Sequence, residues 1–400
     1  MKNKILTIFL IITFFGVDAT VNYAKKKDTI IENKIVDNEI RAIYISYLEY
    51  FSHFYGGSKS VNEAKISKMI DNIYYNKFNV IILHVSPFSD SIYESKIMPY
   101  SYTLTGTEGK YPGFDYLDYF IKKSHSKNIK IYAWINPYRI SFDSDTSKIS
   151  KENPAYKLIG TSSIMSNSVG TYYNPSSEIV KNIILRQVEE LIKKYPVDGI
   201  HFDDYFYMQK DIDKLEYQNY LDNGGTLSLQ EYRLMQTNDL IKRVHETIQK
   251  ENQNIVFSIS PDGNINNNYL YHSADVKTWI SSLEYVDMIM PQIYYGFENQ
   301  YAPFDKVLNS WIDLVKEKEI KIVPVLAFYK VGTEDKEAGT GKSEWLNNSN
   351  IIKRQIKLIK EKELSGYALF RYDFLFNKNN MNENSFIELS FLQQENNVYK

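Results

Sequence analysis

At 400 residues, 43% hydrophobic and 24% charged, the chain is long enough to bury a sizeable core, as one large domain or as two or three smaller ones. A formal net charge of -2 offers no basic surface for nucleic acid, so any anionic partner must be met by local groups. Cysteine is absent, which excludes disulfides, thiolate metal sites, a cysteine nucleophile and a lipidated cysteine. The 34 Tyr and 21 Phe supply flat apolar faces, many edged by a hydroxyl, that suit sugar rings; an AT-rich coding background accounts for the same excess.

The N-terminus places Lys2 and Lys4 before an apolar run from Ile5 to Val17, followed by small and polar residues to Ala24. This is the layout of a secretory signal peptide over residues 1–24, too short for a comfortable membrane span, with a retained anchor as the lesser alternative, and it predicts a secreted or cell-surface protein. Residues 25–38 are charged and patternless and read as a short tether. From residue 39 onward, apolar β-branched runs alternate with helical segments. The runs cover 41–47, 80–85, 129–136, 199–203, 255–261, 286–294, 320–328 and 367–372. Helical periodicity fills the gaps at 61–76, 116–126, 178–194, 229–250, 277–283, 304–318 and 351–362. Nearly continuous apolar strands separated by helices imply a parallel sheet covered on both faces, and eight of them imply a closed (β/α)8 TIM barrel over 39–375. An open doubly wound sheet is the alternative, but no GxGxxG follows the first strand. Residues 376–400 read as a tail or a last helix.

In a barrel of this kind the loops after the strands build the active face, so the long inserts near 138–174 and 205–227 belong to the functional side. The segment VDGIHFDDYF, residues 197–206, is the most informative. Strand alternation puts His201 and Asp203 on one face and Ile200 and Phe202 on the other, with Asp203 at the barrel mouth and Asp204 opening the loop. Asp198, at the strand start, reads as structural. In FSISPDG the same phase joins Ser258, Ser260 and Asp262, giving a second acid one strand away. Two acids in one mouth are what glycosidases need as proton donor and as nucleophile or base, and their repulsion raises the pKa of one. Asp262 also stands in a Pro-Asp-Gly turn, where Asp serves conformation alone.

Other polar groups arrive at strand ends in the same way: His84 and Ser86 on the second strand, Trp134 and Asn136 on the third, Gln292 and Tyr294 on the sixth, Arg371 and Asp373 on the eighth. Tyr138, beside them in AWINPYR, is a candidate sugar platform. Glu49, after the first strand, is a further carboxylate that reads equally as a solvated loop residue.

The ordered segments RAIYIS, NVIILHVSPFSDSIYESK, IYAWINPYR, YYNPSSEIV, VDGIHFDDYFY, SISPDGN and MPQIYYG resemble the glycoside-hydrolase-like family 10 of exported bacterial proteins, over roughly residues 39–375. The resemblance implies a TIM-barrel glycosidase fold and action on peptidoglycan, in particular glycan strands stripped of their stem peptides. DGIHFD is also similar to the strand-four motif of α-amylase-type hydrolases, which implies a nucleophile role for Asp203 with His201 in support. One departure stands out: the family's second strand commonly carries Arg where Ser86 stands, which bears on specificity.

The resulting reading is hydrolysis of O-glycosidic bonds in a cell-wall glycan. Asp203 acts as nucleophile or base, Asp262 or Asp204 as acid, and the substrate is held by His201, His84, Trp134, Asn136, Tyr138, Gln292, Tyr294, Arg371 and Glu49. The chemistry calls for no metal and no cofactor; the partner is a polysaccharide and not nucleic acid. The alternative is a catalytically silent barrel that binds glycan. A metal-dependent deacetylase is disfavoured because no His-x-x-x-His pair occurs.

Overall fold

A computed structural model describes residues 39–204, 206–208, 211–315, 317 and 319–396; the predicted signal peptide and tether lie outside the described residues. The chain separates into residues 1–40 and a body, Arg41–Lys400, and the body carries all that follows except the first residue of the first strand. Its strands are β1 (Ile40–Ile45), β2 (Val80–Ser86), β3 (Lys130–Ile135), β4 (Gly199–Phe202), β5 (Val256–Ile259), β6 (Met288–Ile289), β7 (Lys321–Ile322 with Val325–Ala327) and β8 (Gly366–Phe370). All neighbours pair in parallel, and every residue of β2 is buried, as expected of a sheet covered on both sides.

The sheet closes on itself. Its hydrogen-bonded order begins with Lys321–Ile322 beside β6 and ends with Val325–Ala327 beside β8. Those two pieces are consecutive parts of β7, interrupted where Pro324 lacks an N–H to donate. Around the break, Val325 N–H still donates to Pro291 O of the sixth run, and Ala368 N–H donates to Pro324 O, so neither edge is left open.

Helices follow the strands in the order the sequence predicts: α1 (Lys59–Tyr75), α2 (Tyr116–His125), α3 (Glu178–Lys194), α4 (Leu229–Glu251), α5 (Phe304–Leu314), α6 (Ile351–Glu361) and α7 (Glu383–Glu395). Between β5 and β6 the helical connection is reduced to two short pieces, Ile265–Tyr271 and Val276–Trp279. Alternate strand residues, among them Ile43, Ile45, Leu83, Ile131, Ala133, Ile200, Phe202 and Phe257, join a single apolar cluster with the helices. The C-terminal segment is the helix α7, held where buried Glu388 accepts the Ile352 and Lys353 N–H groups at the start of α6 (2.9 and 3.1 Å). Among the described residues no helix is long and apolar enough to cross a membrane.

At the N-terminal ends of the strands, Asp198 has a structural task, accepting the Ile131 N–H and facing His125 Nε2, each at 2.8 Å. Its neighbour Gly199 opens β4, the strand that delivers the central acids. A Cβ there would lie 2.7 Å from the Tyr132 ring and 2.9 Å from Val256 O, a backbone atom that cannot swing away. Gly199→Ala is therefore expected to destabilise the fold by about 1–3 kcal/mol, seen as a lower thermal midpoint. An unchanged midpoint would show that the barrel wall yields at this point.

Candidate active site

The alternation that turns apolar side chains toward the helices leaves the barrel interior to aromatic and polar groups. His84, Trp134, His201 and Ser258 stand in register on β2, β3, β4 and β5. His84 lies flat on the Trp134 indole, with ring centroids 3.5 Å and planes 11° apart. Fully buried His201 spends both nitrogens inside the barrel: Nδ1 meets Ser258 Oγ at 2.8 Å, and Nε2 meets the Tyr44 hydroxyl of β1 at 3.1 Å. Burial pushes its pKa down to about 3, so the ring is neutral. His84 is also held well below the usual histidine range, first by burial and then by the Arg139 guanidinium and His201. Neither His84 nitrogen has a hydrogen-bond partner among the described residues.

Above this floor, at the C-terminal ends of the strands, lies a pocket of about 280 Å³. It gathers His84, Trp134, Asn136, Asp203, Asp204, Gln292 and Tyr294 from the residues singled out in the sequence. Trp134 Nε1 donates to Asn136 Oδ1 at 3.0 Å and Gln292 Nε2 donates to Ser260 O at 2.9 Å, which fixes both amides at the rim. Asp203 and Asp204 are consecutive yet line the same pocket, because β4 ends at Phe202 and the chain beyond it is released from strand alternation. Asp203 is buried. The Asp204 carboxyl is raised above the usual aspartate range, chiefly by burial and further by the negative charge of Asp262, against the opposing pull of His272 and Gln292.

Five of the sequence-predicted residues stay out of the lining, each for a visible reason. His201 lies beneath the pocket, bonded to Tyr44 and Ser258 and edge-on to the Trp134 ring. Tyr138 is fully buried, its ring against Phe206. Glu49 and Arg371 form an ion pair with each other. Glu49 further accepts Ser46 N–H (2.9 Å), Ser46 Oγ (2.6 Å) and Asp373 N–H (3.2 Å), closing a capping box on the short helix Tyr47–His53. Both oxygens of Asp262 are taken up in its own turn, by Asn264 N–H (2.7 Å) and Asn267 Nδ2 (3.1 Å), so the conformational reading of that aspartate is the one the geometry supports.

Ser86 also leaves the expected phase. A register shift between His84 and Ser86 rotates it outward, where its hydroxyl accepts from Gln187 Nε2 of α3 at 2.8 Å. The pocket also contains Tyr44, Ser46, Tyr47 and Leu48 from the first strand and its short helix, none of them singled out in the sequence. Arg139, Ser260 and Phe370 join them. Arg139 belongs to a small antiparallel sheet, Arg139–Ser141, Gly170–Tyr173 and Ile164–Asn167, folded from the first long insert. Its guanidinium stands 4.8 Å from the Phe142 ring and 5.6 Å from the Phe88 ring. Among the described residues no group of three or more His, Asp or Glu is placed to hold a metal ion.

The family described as glycosyl hydrolase-like 10 matches residues 39–342. The chain belongs to it. Among curated relatives, glycosyl hydrolase DigH of Escherichia coli is 30% identical over 339 residues, covering 78% of this chain and 76% of DigH. Glycosyl hydrolase YngK of Bacillus subtilis is 29% identical over 347 residues, covering 81% and 67% respectively. In fold, the chain is similar to the glycoside hydrolase domain of PgaB (BpsB) from Bordetella bronchiseptica, with a TM-score of 0.60 at 11% identity over 90% of this chain and 98% of that one. An α-L-fucosidase from Paenibacillus thiaminolyticus gives 0.53 at 12%, over 89% of this chain and 49% of its own. As a glycosyl hydrolase-like 10 protein the chain is a glycoside hydrolase, and the expected (β/α)8 architecture is the one observed.

In this glycosyl hydrolase-like 10 barrel, the neutral His201 makes stability depend on pH in a defined direction. Its folded pKa lies below the ordinary value of 6.5, so its contribution is complete above 6.5 and is lost as pH falls toward 3. Between pH 6.5 and 4 the native protein is expected to lose up to about 3 kcal/mol relative to His201→Gln, which cannot titrate. Urea unfolding of both proteins across that range measures it, and parallel stability curves would refute the buried neutral imidazole.

Proposed function

We propose that this glycoside hydrolase is an exported enzyme that cleaves O-glycosidic bonds in a bacterial cell-wall glycan, with peptidoglycan strands stripped of stem peptides as the substrate. The observation that carries the reading is the placement of Asp203 and Asp204 side by side in one pocket whose other walls are largely aromatic and amide. A volume of about 280 Å³ is near the lower end of small-ligand pockets, roughly 300–1,000 Å³, and suits one sugar ring at the reacting position. The Trp134 and Tyr47 rings supply flat apolar faces, and His84, Asn136 and Gln292 supply polar edges for hydroxyls.

A longer glycan needs room beyond one ring. A wider depression of about 830 Å³, lined by Phe88, Tyr102, Glu108 and Phe142, adjoins the pocket. Tyr47 of the pocket lies 5.0 Å from Phe88 and 6.0 Å from Phe142, so a ridge of three rings separates the two spaces. The arrangement supports a polymeric substrate crossing the mouth, with the export signal expected from residues 1–24 placing the enzyme where such polymers occur.

In this reading Asp204 is the proton donor, since burial and a neighbouring charge favour its protonated form, and Asp203 is its partner carboxylate. Native protein is expected to release soluble muro-oligosaccharides from amidase-treated peptidoglycan and far less from intact peptidoglycan. Asp204→Asn should cost about 10²–10⁴-fold and Asp203→Asn about 10³-fold or more, measured by mass analysis of products. Retention on the glycan with no product from the native protein would sink the hydrolytic assignment and favour the silent binding barrel.

The acid role also sets a pH dependence. Activity requires protonated Asp204 and so falls as pH rises through its raised pKa. Asp262→Asn removes one of the charges that raise it while keeping an acceptor for Asn264 N–H, so the alkaline limb of the kcat/KM profile is expected to move to lower pH. A limb that stays in place would mean that Asp204 is not the group being titrated.

A further inference from the structure

Glycosidases that rely on two enzyme carboxylates place them on opposite sides of the scissile bond, roughly 5–5.5 Å apart when one attacks the sugar and 6.5–9.5 Å when one activates water. Here both carboxylates of the pocket come from consecutive residues at the end of one strand, hence from one wall. The facing wall is built by β1, its short helix and β8, and contributes Tyr44, Tyr47, Leu48 and Phe370.

Four other described carboxylates near the mouth have tasks elsewhere. Glu49 is paired with Arg371. Asp262 is closed in its turn. Asp373 meets His53 Nε2 at 2.6 Å and Ser52 Oγ at 3.2 Å. Asp90 accepts the Phe88 N–H at 3.0 Å and is fully buried. None of the four is among the described residues that line the pocket. Among the described residues that line the pocket, a sugar held against Asp203 and Asp204 therefore meets no third carboxylate.

We propose that the substrate supplies the missing nucleophile: the pocket cleaves β-linked 2-acetamido-2-deoxy sugars with the acetamide oxygen attacking C1, Asp203 holding the acetamide N–H and Asp204 protonating the leaving oxygen. This rests on the hydrolytic reading above and gives it a substrate class and a mechanism.

In the first step the acetamide carbonyl oxygen forms a bond to C1. The C1–O bond to the departing sugar breaks with its electron pair, that oxygen takes the Asp204 proton, and the acetamide N–H proton passes to Asp203. The product is a cyclic oxazoline. In the second step a water adds to C1 and gives its proton to Asp204, while the C1 bond to the acetamide oxygen breaks and Asp203 returns the N–H proton. One water is consumed and the anomeric configuration is retained. Attack from the face opposite the leaving group needs a trans arrangement of acetamide and aglycone, which in gluco-configured sugars is the β linkage. The aromatic far wall is then a functional feature, since it keeps water from C1 until the departing sugar has left.

Adjacent carboxylates suit this division of labour. The acetamide nitrogen and the glycosidic oxygen belong to neighbouring ring carbons, so the two groups that address them must also be neighbours. Asp203, buried at the strand end, is fixed, as a hydrogen-bond acceptor orienting the acetamide must be.

The test uses one batch of amidase-treated glycan strands, de-N-acetylated and then re-acylated with either acetyl or trifluoroacetyl groups, with reducing ends measured after incubation with the native enzyme. Fluorine withdraws electrons from the carbonyl oxygen, so the trifluoroacetyl strand is expected to be cut slower by about 10²-fold or more. Proton NMR at early times should show the β anomer as first product. Equal cutting of both strands, an inverted product, or a glycosyl adduct on Asp203 in the mass spectrum of quenched enzyme would overturn the proposal while leaving hydrolysis standing. No cutting of the acetylated strand would overturn both.

Discussion

The inside of a closed parallel barrel is a place where a polar side chain must find a partner on another strand or stand at the mouth. The first option builds the floor of the site: Tyr44, His201 and Ser258 link β1, β4 and β5 through one neutral imidazole. The second builds the site itself, because the next inward positions on β4 and β5 are Asp203 and Ser260, which no longer have a layer above them. Had the imidazole been charged, its field would have opposed the rise of the Asp204 pKa. Its neutrality lets desolvation act on Asp204 without an opposing cation from below.

The barrel was legible in the sequence because its strands are apolar on the face that meets the helices, and that pattern survives any uncertainty in strand ends. Each of the eight apolar runs overlaps one strand of the barrel. The ends diverge where proline intervenes. The run 286–294 shortens to Met288–Ile289 ahead of Pro291, and the run 320–328 splits at Pro324, because a residue without an N–H cannot continue the ladder. Barrel closure is a consequence of pairing between β7 and its two neighbours, which local periodicity does not contain.

Strand phase located His84, Trp134, Asn136, Gln292 and Tyr294 at the pocket, and it failed wherever the chain leaves regular strand geometry. Ser86 lies past a bulge, Asp262 in an Asn-rich turn, and Asp204 two residues beyond a strand end. Long-range partners decided two other positions. Glu49 and Arg371 are 322 residues apart and neutralise each other, so neither a lone acid after β1 nor a lone base after β8 could be assigned from its neighbours. Their pairing nonetheless shapes the site, since it pins the short helix that presents Tyr47 and Leu48.

Tyr44 and Phe370, which strand phase did not point to, stand on β1 and β8, but the aromatic ridge comes from the loops, and that shows how the active face is divided. The reacting groups stand just beyond β4, a strand whose position is set by the barrel ladder. The ridge of Tyr47, Phe88 and Phe142 is assembled from loops after three different strands, and Arg139 braces it by standing over two of the rings. A cation held over aromatic faces keeps the loops together through contacts that do not depend on register. Changes in those loops can therefore reshape the groove that receives the neighbouring sugars without disturbing Asp203 and Asp204. The constraint on the two carboxylates is stricter, because both stand where β4 ends, and any shift of that strand moves both at once.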